Sequence, residues 1–276
     1  MAHTPFLMYH ELERPGRPLC SIDPGYVTYV LPESVFARQL AWLHEHGLKG
    51  VSVSDAHASG FDASGRVAIT FDDGCESDWI VAAPLLSQRG FGGTFYVVST
   101  WVGRRRGYAT VEQLRQLAAA GFEIGSHSAT HAMLTDVSPA GLRREIAESK
   151  RALEDMLGLP IRHFSCPGGR WTRRAALVAR DAGYDTMATS RVGSNDARTG
   201  LFALRRCALQ RHQPHALFET FCSGTGLWRA VARDRVLAGA KALLGTRLYA
   251  GLRSRALGGP ESGSDAVPGE TACSSS

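Results

Sequence analysis

Residues Val67 to Gly74 read Val-Ala-Ile-Thr-Phe-Asp-Asp-Gly, an apolar, β-branched run that stops on two adjacent carboxylates and a glycine. The run has the composition and length of a buried strand. Asp72 and Asp73 cannot both enter an apolar core, because burying an unpaired carboxylate costs several kcal/mol unless a cation or hydrogen bonds compensate. The strand therefore needs an open end where such partners gather. Successive strand residues face opposite ways, so one carboxylate can serve a metal while the other, turned by Gly74, approaches a substrate. Taken alone, Asp-Asp-Gly also suits an acidic turn closing an ordinary strand.

The flanking sequence supplies the rest of a repeating pattern. Phe6 to His10 reads as a strand, followed by a polar loop from Glu11 to Pro24. A helix opening at Pro32 carries Phe36, Leu40 and Leu43 at helical spacing and stops near Gly47. Short strands are expected over Val51 to Val53, Gly93 to Ser99, Phe122 to His127, His163 to Pro167 and Asp185 to Ser190. Between them lie a connection from Ser54 to Ser64 and helical patterns from Trp79 to Leu86, after the Thr110/Gln113 capping box, from Pro139 to Leu157, and from Arg173 to Ala182. Alternating strands and helices specify βαβ units and a parallel sheet, whose strand C-termini collect on one face. Four of these strands end on His10, on Asp72 with Asp73, on His127, and on Pro167-Gly168-Gly169.

Composition narrows the partners. A net charge of +5 is spread along the chain without an aromatic-studded basic stripe, so nucleic acid is not expected. The N-terminal residues lack a signal-peptide pattern, and no 18-residue apolar run suggests a membrane span. The six cysteines show no CxxC pairing and read as free thiols in a reducing, cytoplasmic compartment. Residues 225–257 combine arginines with leucines in the manner of a basic amphipathic helical extension, a candidate for peripheral contact with the inner membrane surface or for packing on the main domain. Residues 258–276 have the Gly/Ser/Pro content of a disordered tail, which leaves 1–224 as the main domain.

His127 and His131 lie four residues apart, and two imidazoles with one distant carboxylate form a catalytic zinc set with an open position. Among ten histidines an isolated HxxxH arises readily by chance. Its weight comes from the Asp-Asp-Gly strand end on the same expected face.

Thr70-Phe-Asp-Asp-Gly74 and His127-Ser-Ala-Thr-His131, in this order, resemble the first two motifs of the polysaccharide deacetylases, the NodB-homology or family 4 carbohydrate esterases. The resemblance implies an α/β fold, a distorted (β/α)7 barrel, and metal-dependent removal of acetyl from an N-acetylhexosamine of a glycan, glycolipid or glycosylated metabolite. By position it makes Asp72 the general base and Asp73, His127 and His131 the ligands of one divalent ion, zinc first, with cobalt or nickel compatible. Phe164-Ser-Cys-Pro-Gly-Gly169 resembles the third motif, with Ser165 where the family has the arginine that orients the base. Gly168 N–H is left to polarise the substrate carbonyl, and Arg170 is a candidate to reach back to Asp72. Met8-Tyr-His10-Glu11 resembles the early motif of the exopolysaccharide poly-N-acetylglucosamine deacetylases, which makes His10 the general acid, with Glu11 or Asp72 as its partner and His212 as the alternative acid. An O-acetyl esterase, a non-sugar amidase and a carbohydrate-binding protein without catalysis remain as alternatives. The sequence leaves the oligomeric state open.

Overall fold

The computed structural model describes residues 3–224, 226–229 and 231–232. The compact unit Met1–Val231 carries every candidate site residue named above. Most of 225–257 and all of 258–276 lie outside the described residues. Among those described, no helix is long and apolar enough to cross a membrane.

The centre of the sheet is formed by β1 (Thr4–Tyr9) and β3 (Arg66–Phe71), paired in parallel with Phe6 beside Ala68 and Tyr9 beside Phe71. The short β2 (Lys49–Val51) flanks the first half of β3, and β4 (Thr94–Val97) flanks its end. Beyond β4 the parallel order continues through β5 (Glu123–Ser126), β6 (His163–Ser165) and β7 (Thr186–Ala188). On the other side of β1 lie β8 (Ser194–Asn195), which is antiparallel, and β9 (Cys207–Ala208), which is parallel. Ala188 bridges to Leu204, and β9 pairs with Leu7 and Met8, so the segment between them spans from β7 to β1 and curls the sheet into a barrel-like wall.

Alternation along these strands separates two apolar layers. Leu7, Tyr9, Ile69, Phe71, Phe95 and Val97 pack outward against the helices, where Tyr9, Phe71 and Phe95 stack at centroid distances of 5.2 and 5.0 Å. Phe6, Ala68, Tyr96, Ala188 and Leu204 form the second cluster, on the opposite face. Thr70 and Asp72 continue the row of Ala68, so the sequence places the Asp72 carboxylate on the inner face at the strand end.

Local elements differ from the sequence pattern in places. The connection expected from Ser54 contains a helix, Val53–Ala58, started by a capping box between Ser52 and Asp55. The helical run from Pro139 to Leu157 widens into a π turn at Arg144–Glu148, and Asp78–Ala82 forms another before the helix Ala83–Ser87. The π turn at 144–148 places Glu145 where it caps the loop holding both motif histidines: Thr130 donates from N (2.9 Å) and Oγ1 (2.7 Å) to its carboxylate.

Candidate active site

The strand ends deliver the acids and histidines to one place. His127 Nε2 lies 3.4 Å and His131 Nε2 3.3 Å from Asp73 Oδ1, while Asp72 Oδ2 is 3.9 Å from His127 Nε2. Asp73, Ser128 and His131 adopt left-handed φ angles of 82°, 72° and 63°, each costing about 1–3 kcal/mol for a residue with a side chain. The surroundings enforce this geometry. His131 N donates to Ser128 Oγ at 2.9 Å, Ser99 N donates to Ser128 O at 3.2 Å, and Ala129 N donates to Glu145 O at 3.0 Å. After Asp73 the chain turns through Gly74, where a Cβ would stand 3.0 Å from Val97 Cγ1 at a φ of 74°.

Asp73, His127 and His131 present ligand atoms within 4.8 Å of one another. His127 Nδ1 lies 3.0 Å from the Ser165 carbonyl, which accepts its proton and turns the Nε2 lone pair toward Asp73. Asp73 Oδ1 is buried with no aligned hydrogen-bond donor. A buried anionic oxygen between two imidazole nitrogens fits a cation. Burial first, then His131 and Arg206, push His127 down to about 4, against the pull of the carboxylates, so the ring stays in the neutral form that coordinates. At His131 burial acts to lower the value, but Asp73 beside it raises it above the ordinary imidazole range.

Asp72 has a different environment. Arg206, fully buried, grips it with two parallel bonds, Nη1 to Oδ1 and Nη2 to Oδ2, both 2.7 Å. Arg206 Nη2 also donates to Ser165 Oγ at 2.7 Å, Nη1 to Thr70 Oγ1 at 3.3 Å, and Nε to the Thr189 carbonyl at 2.9 Å. Ser165 Oγ in turn lies 3.1 Å from Asp72 Oδ2. Burial acts to raise Asp72, but the guanidinium overcomes it and holds the carboxyl well below its usual range.

Two expectations are corrected here. Arg170 does not reach Asp72; its Nη1 lies 3.9 Å from Asp136 Oδ2, and Arg206 from the segment before β9 occupies the position instead. Glu11 does not partner His10, because its carboxylate is turned to Arg17, to Tyr26 Oη at 2.8 Å and to Cys20 N at 3.0 Å. His10 itself follows β1, half-buried, with its ring 5.0 Å from that of Tyr29 and its buried Nδ1 without a partner. It is close enough to the acids that its charge would lower both Asp72 and Asp73. His212 is exposed in a turn. Gly168 stands at the exposed tip of the Pro167–Gly169 turn with a φ of 58°.

Aromatic groups line the rim. Trp101 stacks on His131 at 5.3 Å, and Arg105, from the basic cluster at 104–106, lies over Trp101 at 4.3 Å and over Tyr108 at 5.0 Å. Trp171 carries Arg191 over its ring at 4.7 Å.

Comparison with known proteins gives the same direction. Residues 62–187 match the family model described as polysaccharide deacetylase. YxkH of Bacillus subtilis (strain 168), named as a polysaccharide deacetylase, is 28% identical over 74% of this chain and 71% of its own length. The chitooligosaccharide deacetylase of Bradyrhizobium sp. (strain ANU 289) is 30% identical over 56% of this chain and 71% of its own. In fold, the deacetylase PplD of Streptococcus pyogenes, solved with acetate, superposes with a TM-score of 0.70 at 22% identity, covering 80% of this chain and 98% of PplD. His10 and Arg206 both lie outside the matched span.

Proposed function

The chain belongs to the polysaccharide deacetylase family, and from that premise we propose that it is a metal-dependent hydrolase that removes the acetyl group from an N-acetylhexosamine carried on a glycan, glycolipid or glycosylated metabolite. The observation that carries this reading is the pairing of two differently treated carboxylates. Asp73 has a buried oxygen open to a cation between two imidazoles, whereas Asp72 is held in place by Arg206 and Ser165.

Asp73, His127 and His131 would hold one divalent ion, and their mixed nitrogen and oxygen donors favour zinc over magnesium. The ion would supply Lewis acidity toward water and toward the acetamide carbonyl. Asp72 is the proton acceptor: Arg206 keeps it ionised and fixes its plane, so the carboxylate meets the attacking water in one orientation. His10 is the proton donor to the leaving amine, and its unpartnered Nδ1 and closeness to both acids support that role over the exposed His212. The N–H of Gly168 is the candidate donor to the carbonyl oxygen.

An arginine missing at position 165 is the argument for a binding protein without catalysis, and Arg206, which brings a guanidinium to Asp72 from the segment before β9, weighs against it. The test is a screen of N-acetylated and O-acetylated saccharides with zinc-loaded protein. Acetate released together with a free amine is expected, and Asp72→Asn should abolish release while keeping the metal. Release from O-acetyl esters alone would replace the proposal by an esterase.

A further inference from the structure

Past Asp73 and Gly74 the chain enters a second cluster that the deacetylase reading does not use. Cys75 is fully buried there. The loop after β1 brings Glu11 and Cys20 to it, so that both sulfurs and a Glu11 carboxylate oxygen lie within 4.8 Å of one another. Tyr26 Oη stands 3.4 Å from Cys75 Sγ, Cys20 Sγ donates to the Gly107 carbonyl at 3.0 Å, and Arg17 Nη2 is 3.9 Å from Cys20 Sγ.

Three such ligands could suggest another metal, but the charge is already balanced. Glu11 accepts from Arg17, from Tyr26 Oη and from Cys20 N, and an entering cation would have to expel the guanidinium. What remains is a pair of facing thiols, one partly exposed and one buried, with a guanidinium beside the exposed one. That is the arrangement of an attacking and a resolving cysteine. We propose that Cys20 and Cys75 are a modification site, a thiol pair that closes to a reversible intramolecular disulfide when a low-molecular-weight disulfide such as oxidised glutathione is in excess.

The steps balance. The Cys20 thiolate attacks one sulfur of oxidised glutathione, whose S–S bond breaks and releases one glutathione thiolate. Cys75 gives its proton to that thiolate and attacks the Cys20 sulfur, expelling the second glutathione. Two protein thiols are oxidised, and one oxidised glutathione is reduced to two molecules of the thiol.

The framework decides which side moves. Cys75 is fixed, since Ala109 N donates to Gly74 O at 2.9 Å, Glu76 N donates to Gly107 O at 2.8 Å, and Cys75 bridges to Tyr108. Cys20 lies in an irregular segment between Glu13 and Pro24, so its side chain is the one that has to leave the Gly107 carbonyl to reach the ~2.05 Å separation of a disulfide. The bond would tie the loop that follows His10 to the turn that carries Asp72 and Asp73.

The experiment uses the full zinc-loaded chain, equilibrated over a series of oxidised to reduced glutathione ratios, trapped in acid with an alkylating agent and mapped by mass spectrometry. A peptide pair joined through Cys20 and Cys75, with loss of two of the six thiols and about 2 Da, is expected. It should revert with reductant and be missing in both Cys20→Ser and Cys75→Ser. Glutathione remaining on Cys20 with Cys75 still alkylated at every ratio would overturn the proposal, as would a cross-link between other cysteines. A second bound zinc that is lost in Cys75→Ser would overturn it in favour of a metal site. None of these readouts needs turnover, so the result stands apart from the proposed deacetylation.

Discussion

Replacing Arg206 by methionine isolates what the buried guanidinium does. The substitution keeps an apolar stem of similar length but removes both 2.7 Å bonds to Asp72 and the 2.7 Å bond to Ser165. Asp72, itself buried, is left with Ser165 Oγ at 3.1–3.2 Å. Breaking a buried pair by deleting one partner costs about 3–5 kcal/mol, because the surviving charge keeps its desolvation penalty. At about 2–4 °C per kcal/mol for a unit of this size, Tm should fall by roughly 6–20 °C. Turnover should drop further than stability alone explains, since a base displaced by about 1 Å can lose about 10²-fold in rate. KM should change little, because Arg206 is sealed from solvent and the loss is one of positioning. Arg206→Lys keeps the charge without the planar fork and should fall between the two. The double exchange Ser165→Arg with Arg206→Ser returns a guanidinium to the position that the family motif uses and should recover part of the lost kcat. Differential scanning calorimetry, metal analysis and acetate release on each variant make the comparison. If Arg206→Met melts within about 2 °C of the parent and keeps its kcat, well below the change that breaking a buried pair requires, the pair does not position the base.

Three further outcomes are expected. His127→Ala should lose both bound metal and activity, and stoichiometric metal in that purified variant would remove His127 from the ligand set. His10→Ala should slow turnover by about 10²–10⁴-fold with metal retained, whereas His212→Ala should be mild; exchanged results would move the general acid to the end of the barrel. On the opposite end of the sheet, burial acts to raise Glu123, yet hydrogen bonds from His163, Ser54 and Thr94 hold it below its ordinary value. A carboxylate depressed in the folded state contributes stability that is present above the unfolded value and lost as pH falls through the folded one, so Tm should decline as pH falls below the ordinary glutamate range, and Glu123→Gln should flatten that decline.

The gathering of Asp73, His127 and His131 was legible because polar groups at strand ends need one another. A β-branched run ending in Asp72-Asp73-Gly74 needs polar partners at an open strand end, and His127-x-x-x-His131 follows another strand in the same alternating pattern. The parallel order was legible for the same reason, since runs of Leu, Ile, Phe and Val without alternation to polar residues require cover on both faces. The helix Val53–Ala58 takes up the first part of the connection expected from Ser54 to Ser64, because the Ser52/Asp55 capping box starts it among small residues. The π turns at 78–82 and 144–148 leave no trace in apolar spacing, as one extra residue per turn barely shifts a stripe.

Arg206 was hidden for a different reason: its partner lies 134 positions away in the chain, and no local motif records that distance. A weaker signal was present. Leu204-Arg205-Arg206-Cys207-Ala208-Leu209 is a strand-like apolar run with two arginines, and alternation sends only one of them outward; Arg205 is exposed and Arg206 buried. A buried guanidinium needs a buried carboxylate, and Ser165 in place of the family's arginine left Asp72 without its cation. Those two deficits are equal and opposite, and each alone is unsatisfiable. Balancing buried charge across the whole barrel joins them, whereas Arg170, nearer to Ser165 in the chain, faces Asp136 at the rim.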